Sequence, residues 1–276
     1  MKDKLILALS GNDIFSGGGL HADLATYTVN GLHGFVAVTC LTAMTNQGFE
    51  VLPVEEEVFT QQLSSLKDVP FSAIKIGLLP NLAIAEQALD FVKQHADIPV
   101  VLDPVLVCKE NHDLEVSALR EELIRFFPYV SIITPNLAEA QLLTQKEIKS
   151  LEDMQAAAKE LYDLGAKHVV IKGGNRLSRA GRSAVGWVKF ITSTMWGNRL
   201  SKERAVDVYY DGQDFKVLES PVLASNNTGA GCTFASSIAS QLLLGKSPFA
   251  AVQFSKDFVY GAIQRSDQYG VVQYEK

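Results

Sequence analysis

The chain has few of the features that mark secreted, membrane-spanning or nucleic-acid-binding proteins. Its three cysteines are far apart and odd in number, which argues against a disulfide framework and against a CxxC metal site. No apolar run approaches the roughly 20 residues that span a bilayer, and residues 5–9 are too short a run for a signal-peptide core. The net charge of -6 gives no basis for binding nucleic acid or an anionic membrane. We therefore expect a cytoplasmic protein whose main partner is neither nucleic acid nor an anionic membrane.

Short apolar runs alternate with segments of helical periodicity. The predicted strands are residues 5–9, 35–40, 73–77, 99–103, 130–134 and 168–172. The predicted helices are residues 55–66, 82–94, 114–126, 151–164, 230–244 and 248–265. Most strand runs are continuously apolar, as in strands buried on both faces, and an Asp-Gly turn predicts a hairpin over residues 205–218. This pattern predicts an α/β fold with a mostly parallel sheet and helices on both faces, in a single domain over residues 1–276.

One short motif occurs twice. GNRLS stands at residues 174–178 and again at 197–201, an offset of 23 residues. Removing one copy with the residues between leaves a simple loop into the predicted hairpin, so we predict an inserted loop at residues 179–201. Its apolar part, residues 187–196, holds both tryptophans of the chain. It is interpreted as a tolerated surface loop, with an oligomer contact or a gating element as alternatives.

The loop after the first predicted strand, SGNDIFSGGGLHADL, is rich in glycine. Gly17, Gly18 and Gly19 permit close approach of a ligand to the backbone. Gly17, Gly19 and Ala22 match G-x-G-x-x-A, but the acidic residue of a dinucleotide site is missing after the second strand, which makes a Rossmann dehydrogenase the weakest alternative. Asp13 is predicted to hydrogen-bond a small polar ligand; a capped turn is the alternative.

Asp103 stands at the tip of the fourth predicted strand, where a carboxylate can hold Mg²⁺ directly or through water. The segment VCKENHD that follows is polar and is interpreted as a flap over the site. Within it Cys108, beside Lys109, is a candidate reactive thiol.

Two further strand ends carry polar groups toward the same edge of the sheet. Asn136 is a predicted N-cap with Glu139 at the third helical position, a pattern that a capping box alone also explains. Lys172 ends the sixth predicted strand and is followed by Gly173 and Gly174, which give a ligand access to the backbone.

The segment NTGAGCTF, residues 227–234, opens an apolar helix with a glycine-rich turn. Backbone N–H groups from Gly229 to Cys232 at a helix N-terminus can bind a phosphate. The same positive end is expected to lower the pKa of the Cys232 thiol and make it a base toward a substrate hydroxyl. The alternative is that Cys232 only packs the start of the helix.

Taken together and in order, these motifs resemble the ribokinase-like superfamily, and within it the vitamin kinases for hydroxymethylpyrimidine and pyridoxal. The resemblance spans the chain: SGNDIFSGGGLHADL, LTAMTNQG, KIGLL, VVLDPVLVCK, ITPNLAEA, VVIKGG, AVDVYYDG and NTGAGCTFASSIAS. It implies phosphorylation of a hydroxymethyl group on a pyridine or pyrimidine ring, with ATP and Mg²⁺.

The resemblance also implies roles for the two cysteines. Most of the superfamily has Asp as catalytic base at the position of Cys232. Cys108 in DPVLVCK matches a second cysteine of a branch of bacterial pyridoxal kinases, where pyrimidine kinases usually have Ala. A thiol there can form a hemithioacetal with the aldehyde of pyridoxal.

Other roles follow from the same resemblance. Asp13 and Gly19 are expected to contact the substrate ring, and Met44 stands where pyrimidine kinases usually have Gln or Glu. The residues expected to serve Mg²⁺ and phosphates are Asp103, Asn136 and Glu139. The residues expected to line the ATP site and the anion hole are Lys172, Gly173, Gly174, Asp207, Thr228, Gly229, Ala230 and Gly231, with Cys232. The predicted insertion is expected to separate Lys172 from Asp207.

The sequence thus predicts a pyridoxal kinase that makes pyridoxal 5′-phosphate. A hydroxymethylpyrimidine or phosphomethylpyrimidine kinase of thiamin synthesis, or an enzyme with both activities, is the first alternative. A non-catalytic ligand-binding relative is the second. Because members of the family are usually dimers, a homodimer is expected.

Overall fold

A computed structural model describes residues 4–106, 113–174 and 204–274. Its strands are β1 (Leu5–Asn12), β2 (His33–Thr45), β3 (Gly48–Pro53), β4 (Ala73–Ile76), β5 (Val100–Leu102), β6 (Ile132–Ile133), β7 (Val169–Lys172), β8 (Arg204–Tyr210) and β9 (Phe215–Pro221). Its α-helices are α1 (Gly19–Val29), α2 (Glu56–Leu66), α3 (Leu82–Lys93), α4 (Asp113–Arg125), α5 (Leu137–Thr144), α6 (Leu151–Asp163), α7 (Ala230–Leu243) and α8 (Pro248–Gln264).

In the described residues, nine strands form one sheet in the order β3-β2-β1-β4-β5-β6-β7-β8-β9. The strands from β2 through β1 and β4 to β7 are parallel. Both edges are antiparallel, where β3 pairs with β2 and the hairpin β8–β9 pairs with β7. The predicted α/β fold with a mostly parallel sheet is confirmed, as is the predicted hairpin.

Helices cover both faces of the sheet. Leu7 and Leu9 of β1 pack into the hydrophobic core shared with α2 to α6, whereas Ile6 and Ala8 pack into a second core with α1, α7 and α8. Since successive side chains of a strand point to opposite faces, a strand covered on both sides is apolar at every position. This explains the continuous run from which β1 was predicted.

The second strand is longer than predicted. β2 continues past Cys40 to Thr45, and β3 folds back on it as an antiparallel edge strand with Met44 opposite Phe49. The strand predicted from the sequence ended at residue 40, and residues 41–45 mix apolar and polar side chains, unlike the buried runs. An edge hairpin with one solvent-facing side has such a mixed composition.

The predicted insertion at residues 179–201 lies outside the described residues. The chain segments before and after it are hydrogen-bonded to each other. The Gly173 N–H donates to the Val206 carbonyl at 2.9 Å, and the Val206 N–H donates to the Gly174 carbonyl at 3.1 Å. Lys172 and Asp207 are direct cross-strand partners of β7 and β8. The expectation that the insertion separates these two residues is therefore wrong.

Within the described residues, no helix combines the length and the hydropathy needed to cross a lipid bilayer.

Candidate active site

The predicted polar groups lie at the carboxyl ends of the parallel strands, as expected for a ligand site in an open α/β sheet. Asp13 follows β1, Asp103 follows β5, Asn136 follows β6 and Lys172 ends β7. Asn136 and Lys172 form a parallel bridge beyond the regular strands. The Lys172 ammonium donates to Asp103 Oδ1 at 2.8 Å. The sheet therefore brings the groups that follow β5, β6 and β7 into one place.

Two glycine-rich turns pack backbone to backbone beside this edge. Gly19 has a φ of +56°, and a Cβ there would lie 2.2 Å from the Gly11 carbonyl oxygen. Gly229 has a φ of +81°, and a Cβ there would lie 1.6 Å from the Gly17 carbonyl oxygen. No other residue type fits either position, because each needs both a left-handed backbone and the space of a missing side chain.

The Cys232 thiol lies where these two turns meet. A Cβ on Gly18 would be 3.6 Å from Asp13 Oδ2 and 3.8 Å from Cys232 Sγ. The Gly19 N–H also donates to the Cys232 sulfur. The predicted substrate loop and the predicted anion-binding turn are thus neighbours, with the candidate base between them.

Asp13 has a structural task of its own. Its carboxylate accepts the Phe15 N–H at 3.0 Å and the Gly18 N–H at 2.8 Å. The capped turn considered as an alternative is therefore present, and it fixes the glycine loop beside Cys232. A contact of Asp13 or Gly19 with a ligand stays a prediction.

The start of α7 is open to an anion. Its N-cap is Gly229, so no side chain caps the helix, and the first N–H groups of a helix need partners from outside it. A Cβ on Gly231 would lie 3.3 Å from Lys172 Nζ and 3.8 Å from Asp103 Oδ2. A phosphate at this helix end would thus have a cation and a carboxylate next to it.

The carboxylates near Lys172 are buried. Asp103 Oδ1 accepts the Thr134 hydroxyl at 3.1 Å. Glu139 and Asn136 form a capping box at the start of α5: the Asn136 N–H donates to Glu139 Oε2 at 2.7 Å and the Glu139 N–H to Asn136 Oδ1 at 3.0 Å. The capping alternative is thus also present, and it holds Glu139 beside the Lys172–Asp103 pair.

Burial and charge shift the titration of two of these groups. Burial raises the pKa of Glu139 to about 7; Lys172 opposes the shift and Asp103 adds to it. For Lys172, burial lowers the pKa, but Asp103 and Glu139 outweigh it and hold the pKa above its ordinary value. Lys172 therefore stays a cation at neutral pH, whereas Glu139 readily exchanges a proton.

The oxygen ligands present suit Mg²⁺ rather than a transition metal. In the parts of the chain that the structure describes, no group of three His, Cys, Asp or Glu residues could hold a metal on its own. Mg²⁺ is usually held by one or two carboxylates together with substrate phosphates and waters. Asp103 and Glu139, with the amide oxygen of Asn136, fit that requirement beside the open end of α7.

A cleft of about 430 Å³ extends from Lys172 along the β8–β9 edge. Predicted ATP and anion-hole residues line it, namely Lys172, Gly173, Gly174, Asp207, Ala230 and Gly231, together with Asn136 of the predicted Mg²⁺ set. Its lining also includes apolar and aromatic side chains, namely Val222, Leu223, Phe234, Val259, Tyr260 and Ile263. Thr228 and Gly229 belong to the neighbouring turn rather than to this lining. A cleft lined by both polar groups and apolar side chains suits a nucleotide, whose phosphates are charged and whose base is flat and largely apolar.

One charged residue of the cleft, Lys256, was not predicted from the sequence. The Lys256 ammonium donates to Asp207 Oδ2 at 2.6 Å, while Asp207 Oδ1 accepts the Gly173 N–H at 3.1 Å. Lys256 lies within α8, whose pattern gives only an amphipathic helix. No motif marked it.

A buried ion pair beneath Cys232 was also missed. Lys75 of β4 and Asp23 of α1 have fully buried side chains, with Lys75 Nζ 2.9 Å from Asp23 Oδ1. The lysine belongs to the KIGLL motif, and its place in an otherwise apolar strand was the available signal.

The expected lowering of the Cys232 pKa is wrong. Burial raises the pKa of this thiol, and the negative charges of Asp23 and Asp103 add to the shift. The Lys75 ammonium and the hydrogen bond from the Gly19 N–H act in the opposite direction but do not outweigh burial.

Two predicted substrate contacts remain. Met44 is 59% exposed on β2 and lies on the same strand face as Thr42, whose hydroxyl accepts the Ile14 N–H of the glycine loop at 3.0 Å. Cys108 lies outside the described residues.

Known proteins resemble this chain over nearly its whole length. A family model described as phosphomethylpyrimidine kinase matches residues 13–275. Pyridoxine kinase of Bacillus subtilis is 35% identical over 270 residues, which cover 94% of this chain and 90% of that protein. Hydroxymethylpyrimidine/phosphomethylpyrimidine kinase of Aquifex aeolicus is 33% identical over 273 residues, covering 96% of each.

A solved structure shows the same fold. Pyridoxal kinase from Staphylococcus aureus, in complex with AMP-PCP and pyridoxal, superposes with a TM-score of 0.81 at 32% identity. The match covers 98% of this chain and 94% of that one. Family model, relatives and fold agree with the resemblance drawn from the motifs: the chain belongs to the phosphomethylpyrimidine kinase family.

Proposed function

We propose that the protein transfers the γ-phosphoryl group of ATP to the hydroxymethyl group of pyridoxal, making pyridoxal 5′-phosphate. The observation that carries this proposal is the position of Cys232, which lies between the Asp13 loop and the open start of α7. A substrate hydroxyl held by the Asp13 loop and a phosphoryl group held at the helix start would meet at this point. The relatives named pyridoxine kinase and pyridoxal kinase support the substrate class.

The cleft suits the nucleotide in one orientation. Apolar side chains of the cleft, such as Val259 and Ile263, accept the adenine, and the phosphates extend past Lys172 to the start of α7. There the backbone N–H groups of Gly229, Gly231 and Cys232 bind the γ-phosphoryl group and stabilise the charge that develops on it, while the Ala230 N–H donates to the Asn227 carbonyl at 3.0 Å. Mg²⁺, when bound, neutralises phosphate charge and would be held by Asp103 and Glu139, with Asn136 beside them.

Cys232 acts as the base. The sulfur takes the proton of the substrate hydroxyl, and the oxygen forms a bond to the γ-phosphorus. The bond from that phosphorus to the β–γ bridging oxygen breaks, and ADP leaves. Because burial raises the thiol pKa, the deprotonated sulfur is a stronger proton acceptor than an ordinary thiolate. A thiol that must stay reduced to act as a base suits a reducing compartment such as the cytoplasm; among the described residues, Cys40 and Cys232 are free.

The test is the steady-state turnover of pyridoxal with ATP and Mg²⁺. Cys232→Ala is expected to lower kcat by about 10²–10⁴-fold, the usual contribution of a general base. Cys232→Asp restores a base and should recover part of that loss. Cys40→Ala, which removes a buried thiol outside the anion-binding turn, is the matched control. Near-normal turnover by Cys232→Ala would rule out this assignment.

Cys108 supports pyridoxal over a pyrimidine, because a thiol can add reversibly to an aldehyde. We expect Cys108→Ala to reduce kcat/KM for pyridoxal more than for pyridoxine, which has no aldehyde. An equal loss on both substrates would exclude the hemithioacetal.

The specific alternative is a hydroxymethylpyrimidine or phosphomethylpyrimidine kinase, which the Aquifex relative favours. The ratio of kcat/KM for pyridoxal and hydroxymethylpyrimidine decides between the two, and similar values indicate both activities. A non-catalytic relative would bind ligands without turnover of either substrate.

A homodimer is supported by the surface of the β2–β3 hairpin. Its exposed apolar side chains are Leu41, Met44, Phe49 and Leu52. Met44 and Phe49 are cross-strand partners on one side of the hairpin, and burial of this exposed pair between two copies is favourable. Phe49→Glu is expected to shift the sedimentation coefficient to that of a monomer; an unchanged dimer would place the interface elsewhere.

A further inference from the structure

The Asp23–Lys75 pair lies completely inside the protein, between α1, β4 and α7. The Lys75 ammonium contacts both carboxylate oxygens of Asp23, at 2.9 and 3.0 Å. The Ser236 hydroxyl of α7 donates to Asp23 Oδ1 at 2.5 Å. A Cβ on Gly77 would lie 2.7 Å from Lys75 Nζ, so the glycine makes room for the ammonium. The cation therefore has one fixed position.

Stability alone does not account for this pair. Removing two charges from water is costly, and apolar residues of similar volume often replace a buried ion pair at no loss of stability. An ordinary α/β core has no need for a charge at this point of β4. A role outside folding is the better explanation.

The pair is next to the candidate base. α1 and α7 pack against one another in register: Gly19 donates to Cys232, and one turn further along both helices Asp23 accepts from Ser236. The ammonium bound to Asp23 is thus within about one helical turn of the thiol. The Ser10 hydroxyl is buried there, 3.4 Å from the same Cβ position on Gly77, and has no hydrogen-bond partner among the described residues.

We propose that Lys75 is a positioning residue for catalysis: its ammonium, fixed by Asp23, is the counter-charge of the Cys232 thiolate and sets the pH at which Cys232 becomes a base. This inference rests on the proposed function of Cys232. The proposed function identifies the base, whereas this inference identifies the residue whose charge stabilises the deprotonated form of that base.

Among the described residues, the other charged or titratable groups near Cys232 are Asp13 of the glycine loop, Asp23 and Tyr27 on α1, Asp103 after β5 and Lys172 at the end of β7. Lys172 is paired with Asp103. Of the charges around the thiol, that of Lys75 has the largest effect, and it favours the thiolate. Loss of the Lys75 charge should therefore shift thiolate formation to higher pH, and loss of the whole pair should do so to a smaller extent.

The experiment measures the rate of alkylation of Cys232 by iodoacetamide against pH, without nucleotide, by mass spectrometry of the Cys232 peptide. Lys75→Met is expected to raise the midpoint by at least about one pH unit, a tenfold loss of thiolate below both midpoints. The double variant Asp23→Asn with Lys75→Met is used if the single variant does not fold. It leaves no unpaired buried charge, and the Asn oxygen can still accept the Ser236 hydroxyl. Its midpoint should also rise, by less. Lys146→Met, at an exposed pair with Glu160, should leave the midpoint unchanged.

An unchanged midpoint in the folded double variant, or in a folded Lys75→Met protein, overturns the inference. The acid limb of kcat/KM for pyridoxal should move with the alkylation midpoint, which a merely structural role of Lys75 would not produce. Activity retained by Cys232→Ala would instead overturn the proposed function. The alkylation midpoints do not depend on turnover, so the two failures are distinguishable.

Discussion

Replacement of Gly229 by alanine tests whether the two glycine turns of the site depend on direct backbone contact. Two separate effects oppose a side chain at this position. The φ of +81° is unfavourable for an L-residue by about 1–2 kcal/mol. In addition, the new Cβ would lie 1.6 Å from the Gly17 carbonyl oxygen, so one of the two turns must move. Overpacking of this kind costs about 1–3 kcal/mol more.

The chain offers a matched control. Gly245 has a similar φ of +91°, and a Cβ there meets nothing within 4 Å. Gly245→Ala therefore measures the backbone effect alone, which we expect to lower Tm by about 2–6 °C. Gly229→Ala should lower Tm at least about twice as much. Differential scanning fluorimetry without ligand measures both shifts.

The two variants should also differ in activity. Movement of the turn displaces the N–H groups that face the phosphate, so Gly229→Ala is expected to lose at least about tenfold in kcat/KM for ATP, about the effect of one weakened oxyanion contact. Gly245→Ala should keep normal activity. Equal Tm shifts together with unchanged kcat/KM in Gly229→Ala would show that the two turns are not in contact.

Three further predictions concern the carboxylates, the cleft and the insertion. The pKa of Glu139 is about 7, above its value in the unfolded chain, so the folded state binds the extra proton. The contribution of Glu139 to the free energy of unfolding therefore falls by up to about 3 kcal/mol as pH rises from about 4.3 to 7. Glu139→Gln should abolish this fall in urea unfolding measured without Mg²⁺. A fall retained by that variant would assign it to another group. Lys256→Met removes the cation paired with Asp207, and repulsion between this carboxylate and the phosphates should weaken ADP binding about tenfold in calorimetry. Unchanged affinity would place the phosphates elsewhere. Deletion of residues 179–201 should alter ADP affinity by less than about twofold, because Gly173 and Val206 are already paired; a large loss would give the insertion a role in binding.

The sequence was informative about the site wherever a polar residue followed a buried strand. Asp103, Asn136 and Lys172 were identified in this way, because parallel strands bring their carboxyl ends to one edge whatever the details of packing. Side chains that act from within an element carry no such mark. Lys75 lies inside a strand and Lys256 inside a helix, and only the tertiary contacts with Asp23 and Asp207 give them a role.

The pKa of Cys232 shows a second limit of local reasoning. A helix N-terminus lowers a thiol pKa, and that part of the argument from the sequence is sound. Burial acts in the opposite direction and depends on how α1, β4 and α7 enclose the sulfur, which no local pattern contains. The effects of Lys75 and Asp23 on this pKa also could not be predicted locally, since both residues lie far from residue 232 along the chain.

The position of the base is fixed by the backbone rather than by the side chain at residue 232. Gly19 packs on Gly11, Gly229 packs on Gly17, and a Cβ on Gly270 would lie 2.9 Å from the Thr228 carbonyl oxygen. These close contacts join the glycine loop, the anion-binding turn and the C-terminal segment without any side chain between them. A different acid at residue 232 would therefore occupy the same place, which is why Cys232→Asp is expected to recover activity. The charge around that residue would then be the variable part of the site, and Lys75 suits a thiolate and a carboxylate equally because both are anions.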